Sequence, residues 1–465
     1  MRLRIMQVVF AAAVVLFLPS GSAWAQGVTK QTGTLPDGAT YVIEVPSPWN
    51  GILFLYSHGY VIPGTPNPAQ DVAMSDPATR FFMLSSGFAL AGSSYATTGW
   101  AIEQALPDQI AVLDIFDKTF GKPTRTIAWG HSLGGMITAG LIQRYPDRFD
   151  AALPMCGVLS GGVATWNTAL DSEFAFQTLL AGPRLQVVNI TNPLANLQFA
   201  EEMLAAAQAT SQGRARLALV SALGDGPGWF VPLSPEPAPT DFVSQEMNQF
   251  LWDQHVDFPF VFAFRAELEA RAGGNPSWNT NVDYSVQLAR SADAAEVAAL
   301  YQQAGLDLEA DLRILNETVR VRANPPSVDY LERNIIFNGE IQIPVLTLHT
   351  TGDGLVVVQN ESAYKQTVNE QGNGEFLRRT FVARAGHCAF TPAETIAAVQ
   401  TLLARLNTGI WPDVAATNMN AAATALGPGF NIFVNPQGMI VPVPPGFVDF
   451  NPTRYLRPFD AQNEQ

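Results

Sequence analysis

The feature that most constrains the fold is a regular alternation of short apolar runs with longer amphipathic segments. The apolar runs have the length and composition of strands buried on both faces, and they occupy residues 51–56, 88–93, 125–129 and 151–155. Helical patterns separate them, as at residues 103–120 and 133–144. Strands that alternate with helices predict an α/β fold with a mostly parallel central sheet, right-handed crossovers and flanking helices.

The alternation stops after residue 156 and resumes with an apolar run at residues 343–350. Residues 157–334 contain Ala-rich helical patterns and a loop rich in Gly and Pro. We therefore predict a mainly helical cap over residues 157–334, inserted between sheet strands of a core that comprises residues 26–156 and 335–410. The Gly-, Pro- and Asn-rich residues 411–465 are interpreted as a C-terminal tail that wraps the surface.

The N-terminus has the form of a targeting segment. Arg2 and Arg4 precede an apolar run at residues 5–18, and Ala23-Trp24-Ala25 follows as a small-x-small cleavage site. The run is shorter than the roughly 20 residues that span a bilayer, although a single membrane anchor is the alternative. The pattern predicts a signal peptide over residues 1–25, a secreted or periplasmic location, and no stable membrane insertion after cleavage.

Charge and cysteine content exclude several classes of protein. Asp and Glu number 41 against 26 Lys and Arg, which gives a net charge of −15. Such a surface argues against nucleic acid and anionic membranes as main partners. The two cysteines are too few for a Cys-rich zinc or iron–sulfur site.

The motif with the clearest chemistry is Gly130-His131-Ser132-Leu133-Gly134, which lies between a predicted strand and a predicted helix. This is G-x-S-x-G in the context that its chemistry requires. The turn is so sharp that the positions two residues before and after the serine must lack side chains, and Gly130 and Gly134 meet this requirement. We expect Ser132 Oγ at the carboxyl edge of the sheet, where the dipole of the following helix stabilises developing negative charge.

This motif, the Tyr-Pro-Asp-Arg-Phe sequence at residues 145–149, and His58-Gly59 after a buried strand together resemble the α/β-hydrolase superfamily. The resemblance covers roughly residues 39–155 and 343–406. It implies the α/β-hydrolase fold and a serine nucleophile, an acid after a later strand and a histidine near the end, in that order.

The residues that match this order are Ser132, Asp353 and His387. Asp353 directly follows the apolar run at residues 343–350 in Thr-Gly-Asp-Gly, and His387 follows the last predicted strand. His387 is the expected base, and Asp353 is the expected orienting acid. Asp353 taken alone also suits a turn, because Asp-Gly is a common turn pair. His349 is interpreted as a buried core histidine.

The resemblance also implies an oxyanion hole and a substrate pocket. The backbone N–H groups of Leu133 and Tyr60 are the expected oxyanion donors. His58, Tyr95 and Trp100 are candidates for the substrate pocket. In the cap, the aromatic run at residues 258–264 is interpreted as core. The acidic residues of the cap are interpreted as solvated helix faces, with capture of a substrate's amino terminus as the alternative: Asp171, Glu173, Glu201 and Glu202.

We predict a disulfide between Cys156 and Cys388. Cys156 ends the strand after the nucleophile helix, and Cys388 follows His387. In some members of the superfamily the acid lies where Cys156 lies, so that position reaches the histidine loop. The alternative is two buried thiols that pack as small hydrophobic groups.

The sequence thus predicts a secreted serine hydrolase that cleaves a small or oligomeric carboxylic ester through an acyl-enzyme, without metal or organic cofactor. Two alternatives stay open. One is a secreted exopeptidase of the same fold, and the other is an inactive hydrolase fold that serves as a binding protein.

Overall fold

The structure is a computed structural model that describes residues 27–65, 67, 71–74, 76–434 and 438–459. The predicted signal peptide lies outside the described residues. Within them, no helix combines the length and the apolar character that crossing a membrane requires.

A mixed sheet of nine strands forms the centre of the described chain, in the order β1-β2-β4-β3-β5-β6-β7-β8-β11, and β9 pairs with β10 separately. The strands are β1 (Val28–Thr34), β2 (Thr40–Pro46), β3 (Ile52–Ser57), β4 (Ala89–Ser93), β5 (Arg125–His131), β6 (Ala151–Met155), β7 (Val345–Gly352), β8 (Leu377–Ala385), β9 (Ile432–Val434), β10 (Ile440–Pro442) and β11 (Phe447–Val448). The six strands from β4 to β8 in this order are parallel, whereas the edge pairings β1–β2, β2–β4 and β8–β11 are antiparallel. The predicted mostly parallel sheet is confirmed.

The helices are α1 (Pro77–Ser85), α2 (Ile102–Phe120), α3 (Leu133–Arg144), α4 (Gly162–Phe176), α5 (Pro193–Gln208), α6 (Ser211–Leu223), α7 (Phe242–Trp252), α8 (Arg265–Ala272), α9 (Tyr284–Arg290), α10 (Ala294–Ala304), α11 (Leu308–Glu317), α12 (Pro325–Ile335), α13 (Asn360–Glu370), α14 (Pro392–Thr408) and α15 (Ala416–Ala425). Three π-helical turns, Gln177–Ala181, Asp253–Asp257 and Phe260–Phe264, interrupt the helices between β6 and β7.

Alternation along each strand sends side chains to two hydrophobic layers. On β3, Leu53 and Leu55 belong to the layer that contains α2 and α3, whereas Phe54 and Tyr56 belong to the layer that contains α1, α14 and α15. Both faces are therefore covered by helices, as a parallel sheet requires. The helices between β6 and β7 have a third apolar cluster of their own, with Phe174 and Leu219 among its fully buried members.

The C-terminal segment has more structure than a surface-wrapping tail. It contains α15, and β11 adds a strand antiparallel to β8 at the edge of the sheet. Near its end, Tyr455 is buried, and Arg457 Nη1 lies 2.7 Å from Asp171 Oδ2 on α4. The segment thus contacts the helices between β6 and β7 as well as the sheet.

Candidate active site

Ser132 lies on a sharp turn between β5 and α3, with φ of 59° and ψ of −128°. The residues two positions before and after Ser132 must be glycine because the turn passes close to the end of β3. A Cβ at Gly134 would lie 2.0 Å from the Ser57 carbonyl oxygen, and one at Gly130 would lie 2.5 Å from the same atom. The two glycines therefore permit the turn that presents Ser132 at the carboxyl edge of the sheet.

The structure brings Ser132, His387 and Asp353 together. His387 Nε2 lies 2.8 Å from Ser132 Oγ, and His387 Nδ1 lies 2.8 Å from Asp353 Oδ2. Asp353 directly follows β7, and His387 lies in the loop after β8, so the ends of neighbouring parallel strands deliver both side chains. This chain of hydrogen bonds allows the imidazole to take a proton from the serine hydroxyl.

Asp353 is buried and held in place from several sides. Its Oδ1 accepts the Val356 N–H at 3.0 Å, and its Oδ2 lies 3.6 Å from His349 Nε2. Burial would raise the pKa of Asp353. The charges of His387 and His349 and the hydrogen bond from His387 outweigh burial and hold the pKa below its ordinary value. Asp353 is therefore ionised at neutral pH.

His349 is in the core, as the sequence suggested, but its ring connects Asp353 to a second carboxylate. Nδ1 lies 3.2 Å from Glu361 Oε1, and Nε2 lies 2.8 Å from the Val356 carbonyl oxygen. Burial would lower the pKa of His349, but the negative charges of Asp353 and Glu361, with the hydrogen bond to Glu361, raise it to about 10. The Asp353 carboxylate thus lies between two imidazoles.

The two predicted oxyanion donors, Leu133 and Tyr60, belong to segments that lie beside Ser132. Leu133 is the first residue of α3, so its N–H has no acceptor within the helix. A Cβ at Gly59 would lie 3.2 Å from Ser132 Cβ, which shows how closely the loop after β3 approaches the serine. Tyr60 follows this glycine, and its ring packs against Phe260 with centroids 5.1 Å apart.

His58 and Tyr95 do not line the cavity beside Ser132, so their prediction as pocket residues is corrected. His58 is buried, with its ring nitrogens 2.8 and 3.0 Å from the carbonyl oxygens of Gly59 and Ser94. Tyr95 stacks on His58 and donates its hydroxyl to the His58 carbonyl oxygen at 3.0 Å. Both side chains hold the loop that precedes Tyr60.

His131 points away from the reacting atoms, toward the Tyr56 hydroxyl. Burial lowers the pKa of His131 to about 3, so this ring is neutral.

The disulfide between Cys156 and Cys388 is present, with Cα atoms 5.4 Å apart. The two cysteines and His387 form the one cluster of metal-type ligands in the described part of the chain. Its sulfurs are bonded to each other, which removes them as thiolate ligands.

A cavity of about 150 Å³ opens beside Ser132. Trp100, one of the candidate pocket residues, lines it together with apolar and aromatic side chains from the segment between β6 and β7: Val158, Trp166, Phe176, Phe258, Phe260 and Phe262. The interpretation of residues 258–264 as core is therefore incomplete, because side chains of this run also line the cavity. Phe258 and Phe262 are buried in the third apolar cluster and also face the cavity.

Sequence reasoning misjudged two acidic residues of α4 and missed one cavity residue of the C-terminal segment. The acidic residues Glu201 and Glu202 are exposed, but Asp171 and Glu173 are buried, so their interpretation as solvated helix faces is wrong. The spacing of Trp166, Glu173 and Phe176 on one face of α4 could have indicated this. Tyr455, which also lines the cavity, comes from the C-terminal segment, and nothing in the sequence pattern pointed to it.

Comparison with known proteins gives one extensive match. An o-phthalyl amidase from Xanthobacter agilis is 31% identical over 438 residues, which cover 86% of this chain and 92% of that protein. A sequence model of the prolyl oligopeptidase family matches residues 92–180, the segment that contains Ser132.

Solved structures of low sequence identity are also similar. An esterase from Aspergillus oryzae is 13% identical with a TM-score of 0.40, over 83% of this chain and 80% of that one. The rice cell wall degrading esterase LipA from Xanthomonas oryzae is 14% identical with a TM-score of 0.37, over 81% and 87%. From the sheet order, the Ser132 turn and the extensive match to the amidase, we conclude that this chain is a hydrolase of the α/β-hydrolase superfamily and belongs to the same family as the Xanthobacter amidase.

Proposed function

We propose that this protein is a serine hydrolase that cleaves an acyl group from an alcohol or an amine through an acyl-enzyme. The observation that carries the proposal is the continuous hydrogen-bonded chain from Ser132 Oγ through His387 to Asp353. Nucleophilic acyl transfer requires these three types of side chain, and they lie within hydrogen-bond distance of one another.

The reaction runs in two halves. The Ser132 hydroxyl loses its proton to His387 Nε2 while Oγ attacks the acyl carbonyl carbon, and the oxyanion forms between the backbone N–H groups of Leu133 and Tyr60. The bond to the leaving group breaks as His387 returns the proton to it. Water then attacks the acyl-enzyme, again with His387 as base, and releases the acid and free Ser132. Asp353 holds the imidazole and stabilises its charged form.

The cavity beside Ser132 supports an aromatic acyl group. A volume of about 150 Å³ is the size at which an apolar protein cavity accepts a benzene ring. Aromatic walls favour ring stacking and edge-to-face contacts. We propose carboxylic esters as substrates first, because an alkoxide leaves more readily than an amine. Amides of the same acyl group are the second candidate, favoured by the 31% identity to a protein named as an o-phthalyl amidase.

Turnover of matched substrates tests this proposal. Benzoyl and phthalyl groups would be offered as esters and as anilides, beside aminoacyl anilides that report an exopeptidase. The proposal predicts aromatic acyl esters with the highest kcat/KM, anilides of the same acids behind them, and little turnover of aminoacyl anilides. Preference for aminoacyl anilides would favour the exopeptidase alternative. Failure to react with a fluorophosphonate probe would favour the binding protein.

We also propose export with cleavage after Ala25. The proposal is supported by the disulfide, because such bonds persist in oxidising compartments. Expression of the full chain in a bacterial host, followed by N-terminal sequencing, tests it. The expected mature chain begins at Gln26 outside the cytoplasm. A chain retained in the cytoplasm with residues 1–25 intact would contradict it.

A further inference from the structure

The C-terminal segment supplies part of the wall of the cavity beside Ser132. Tyr455 is 2% exposed and lines this cavity. It packs with Ala164 on α4 and with Val357, in the loop that follows Asp353. Tyr455 therefore fills the gap between α4 and that loop, and its ring takes up space beside the site in a closely packed region.

The polar end of Tyr455 is also turned toward α4. Burial raises the pKa of the Tyr455 hydroxyl, and the nearby hydroxyl groups of Ser160, Thr168 and Thr165 partly offset this rise. Thr165 and Thr168 belong to α4 and line the cavity as well. The Tyr455 side chain thus has apolar neighbours along its ring and hydroxyl groups around its tip, which is the environment that a buried tyrosine requires.

The residues that follow Tyr455 are anchored to the helices between β6 and β7. Arg457 Nη1 lies 2.7 Å from Asp171 Oδ2, and Arg457 Nη2 donates to the Trp278 carbonyl oxygen at 3.1 Å. Phe459 packs edge to face on the Trp278 ring, with centroids 6.0 Å apart. Burial raises the pKa of Asp171, and the charge of Arg457 is the main opposing effect. Arg457 therefore compensates a buried carboxyl group, and this pairing holds the segment against α4.

Directly after Tyr455, the segment borders a second and larger space. Leu456, Arg457 and Phe459 line a groove of about 930 Å³, and its lining residues differ from those of the cavity. The cavity itself has a volume of about 150 Å³. Residues 455–459 thus border both spaces, with Tyr455 on the side of the cavity and the anchored residues on the side of the groove.

We propose that Tyr455 is a specificity-determining residue that sets the upper size of the acyl group, and that the pair of Arg457 and Asp171 holds it in this position. The inference rests on the proposed function, because it assigns the acyl group to the cavity beside Ser132. A cavity of this volume accepts one benzene ring, and Tyr455 fills space into which a second ring would extend. The natural chain therefore excludes two-ring acyl groups such as 2-naphthoyl and biphenyl-4-carbonyl.

Hydrolysis of benzoyl, 2-naphthoyl and biphenyl-4-carbonyl esters of one alcohol tests the size limit. The proteins are the natural chain, Tyr455→Phe, Tyr455→Ala and Arg457→Gln, with Arg454→Gln at an exposed position of the same segment as the control. The natural chain should favour the benzoyl ester over both two-ring esters by about tenfold or more in kcat/KM, because a rigid ring that does not fit strains a packed wall.

The variants separate recognition from folding, because a merely structural role would lower kcat/KM for all three esters alike. Tyr455→Ala should raise kcat/KM for at least one two-ring ester by about tenfold, since the added ring then buries apolar area in the vacated space. Arg457→Gln frees the segment to move toward the groove and should raise the same value by a smaller factor. Tyr455→Phe keeps the ring, so it should retain the natural ranking, as should Arg454→Gln.

Turnover of the benzoyl ester shows that a variant is folded. If Tyr455→Ala does not fold, Tyr455→Leu keeps part of the apolar volume and gives the same comparison. The natural ranking of the three esters in a folded Tyr455→Ala or Tyr455→Leu variant would overturn the proposal. Loss of the ranking in Tyr455→Phe would also overturn it, since the ring is still present there.

A binding measurement separates this inference from the proposed function. In Ser132→Ala, calorimetry at pH 7 should show 2-naphthoate and biphenyl-4-carboxylate binding about tenfold more weakly than benzoate, and Tyr455→Ala in the same background should reverse the order for at least one of them. If the natural chain hydrolyses no ester but the order reverses, Tyr455 limits the cavity and the proposed function falls. If benzoyl esters are hydrolysed but Tyr455→Ala changes neither the ranking nor the order of binding, the size limit falls alone.

Discussion

Cys156 and Cys388 are joined across 232 positions of sequence, and Cys388 Sγ lies 3.4 Å from the Nε2 atom of its neighbour His387. Cys156 directly follows β6, and its N–H donates to the Leu348 carbonyl oxygen on β7 at 2.7 Å. The disulfide therefore links the loop that carries His387 to the residue at the carboxyl end of β6, an inner strand of the sheet. Its position links stability of the fold to placement of the proposed base.

Removal of this bond should lower both stability and kcat. Cys156→Ser with Cys388→Ser releases a very long loop in the unfolded state, for which the chain-entropy model gives an upper value of roughly 5 kcal/mol. It also frees the His387 loop to move relative to Ser132, so kcat should fall several-fold with KM little changed. Calorimetry and steady-state kinetics measure the two effects. A variant with lowered Tm and unaltered kcat would restrict the bond to a structural role.

Glu361→Gln should move the acid limb of the kcat/KM profile to higher pH. Glu361 keeps His349 protonated, and His349 is the second cation beside Asp353. Loss of that cation weakens one of the causes that hold the pKa of Asp353 below its ordinary value. Glu370→Gln, at an exposed position on the same helix, is the control. An acid limb that coincides with that of the natural chain would show that His349 and Glu361 act only in packing.

The central sheet, and the grouping of Ser132, Asp353 and His387 at one edge of it, could be predicted from the sequence. Buried strands have continuous apolar runs, and G-x-S-x-G needs a specific strand–turn–helix context, so local patterns identify both. Asp353 and His387 could be found because parallel strands bring their carboxyl ends to one edge. Each of these inferences depends on local pattern or on chain order.

The direction in which individual side chains point, and which of them reach the cavity, depend on tertiary packing that no local sequence pattern reveals. His58 and Tyr95 both follow sheet strands, as pocket residues do, but their side chains turn inward to hold the backbone of one loop. From the sequence, Glu173 resembles an ordinary solvated acidic residue. The structure shows that most residues of α4, including Glu173, are buried. Tyr455 reaches the cavity from a segment whose composition predicts a surface position.

Tyr95→Phe should weaken activity more than stability. The variant loses the hydrogen bond from the Tyr95 hydroxyl to the His58 carbonyl oxygen, which contributes about 0.5–1.5 kcal/mol. The freed carbonyl precedes Gly59, which approaches Ser132 closely, so the Tyr60 N–H should be less well placed and kcat should fall. Tyr41→Phe, which loses a hydrogen bond from Gln31 on the edge strand β1, provides the comparison. Equal kcat in the two variants would argue against this role.

Asp225→Asn should stabilise the protein more at pH 8 than at pH 5. Burial, with the charge of Asp293, raises the pKa of Asp225 to about 8, against about 4 in an unfolded chain. Between those values the folded state holds a proton that the unfolded state has released, so stability falls as pH rises through this window. The asparagine side chain of the variant is neutral at every pH, so the stability of the variant does not fall for this reason as the pH rises.

The measurement is the difference in Tm between Asp225→Asn and the natural chain, taken from pH 5 to pH 8. We expect the difference to grow with pH, whereas Glu309→Gln at an exposed position should give a constant one. A pH-independent difference for Asp225→Asn would mean that Asp225 is ionised in the folded protein across the whole range.

The proposed function depends most directly on Ser132 as the residue that forms the acyl-enzyme. Mass spectrometry of the natural chain after rapid mixing with an aromatic acyl ester, or with a fluorophosphonate, measures this directly. We expect one added acyl or phosphonyl mass on the peptide that contains Ser132, none in Ser132→Ala, and a loss of kcat on the order of 10⁴–10⁶ in that variant. A covalent mass on another residue, or more than a tenth of the activity in Ser132→Ala, would show that Ser132 is not the nucleophile.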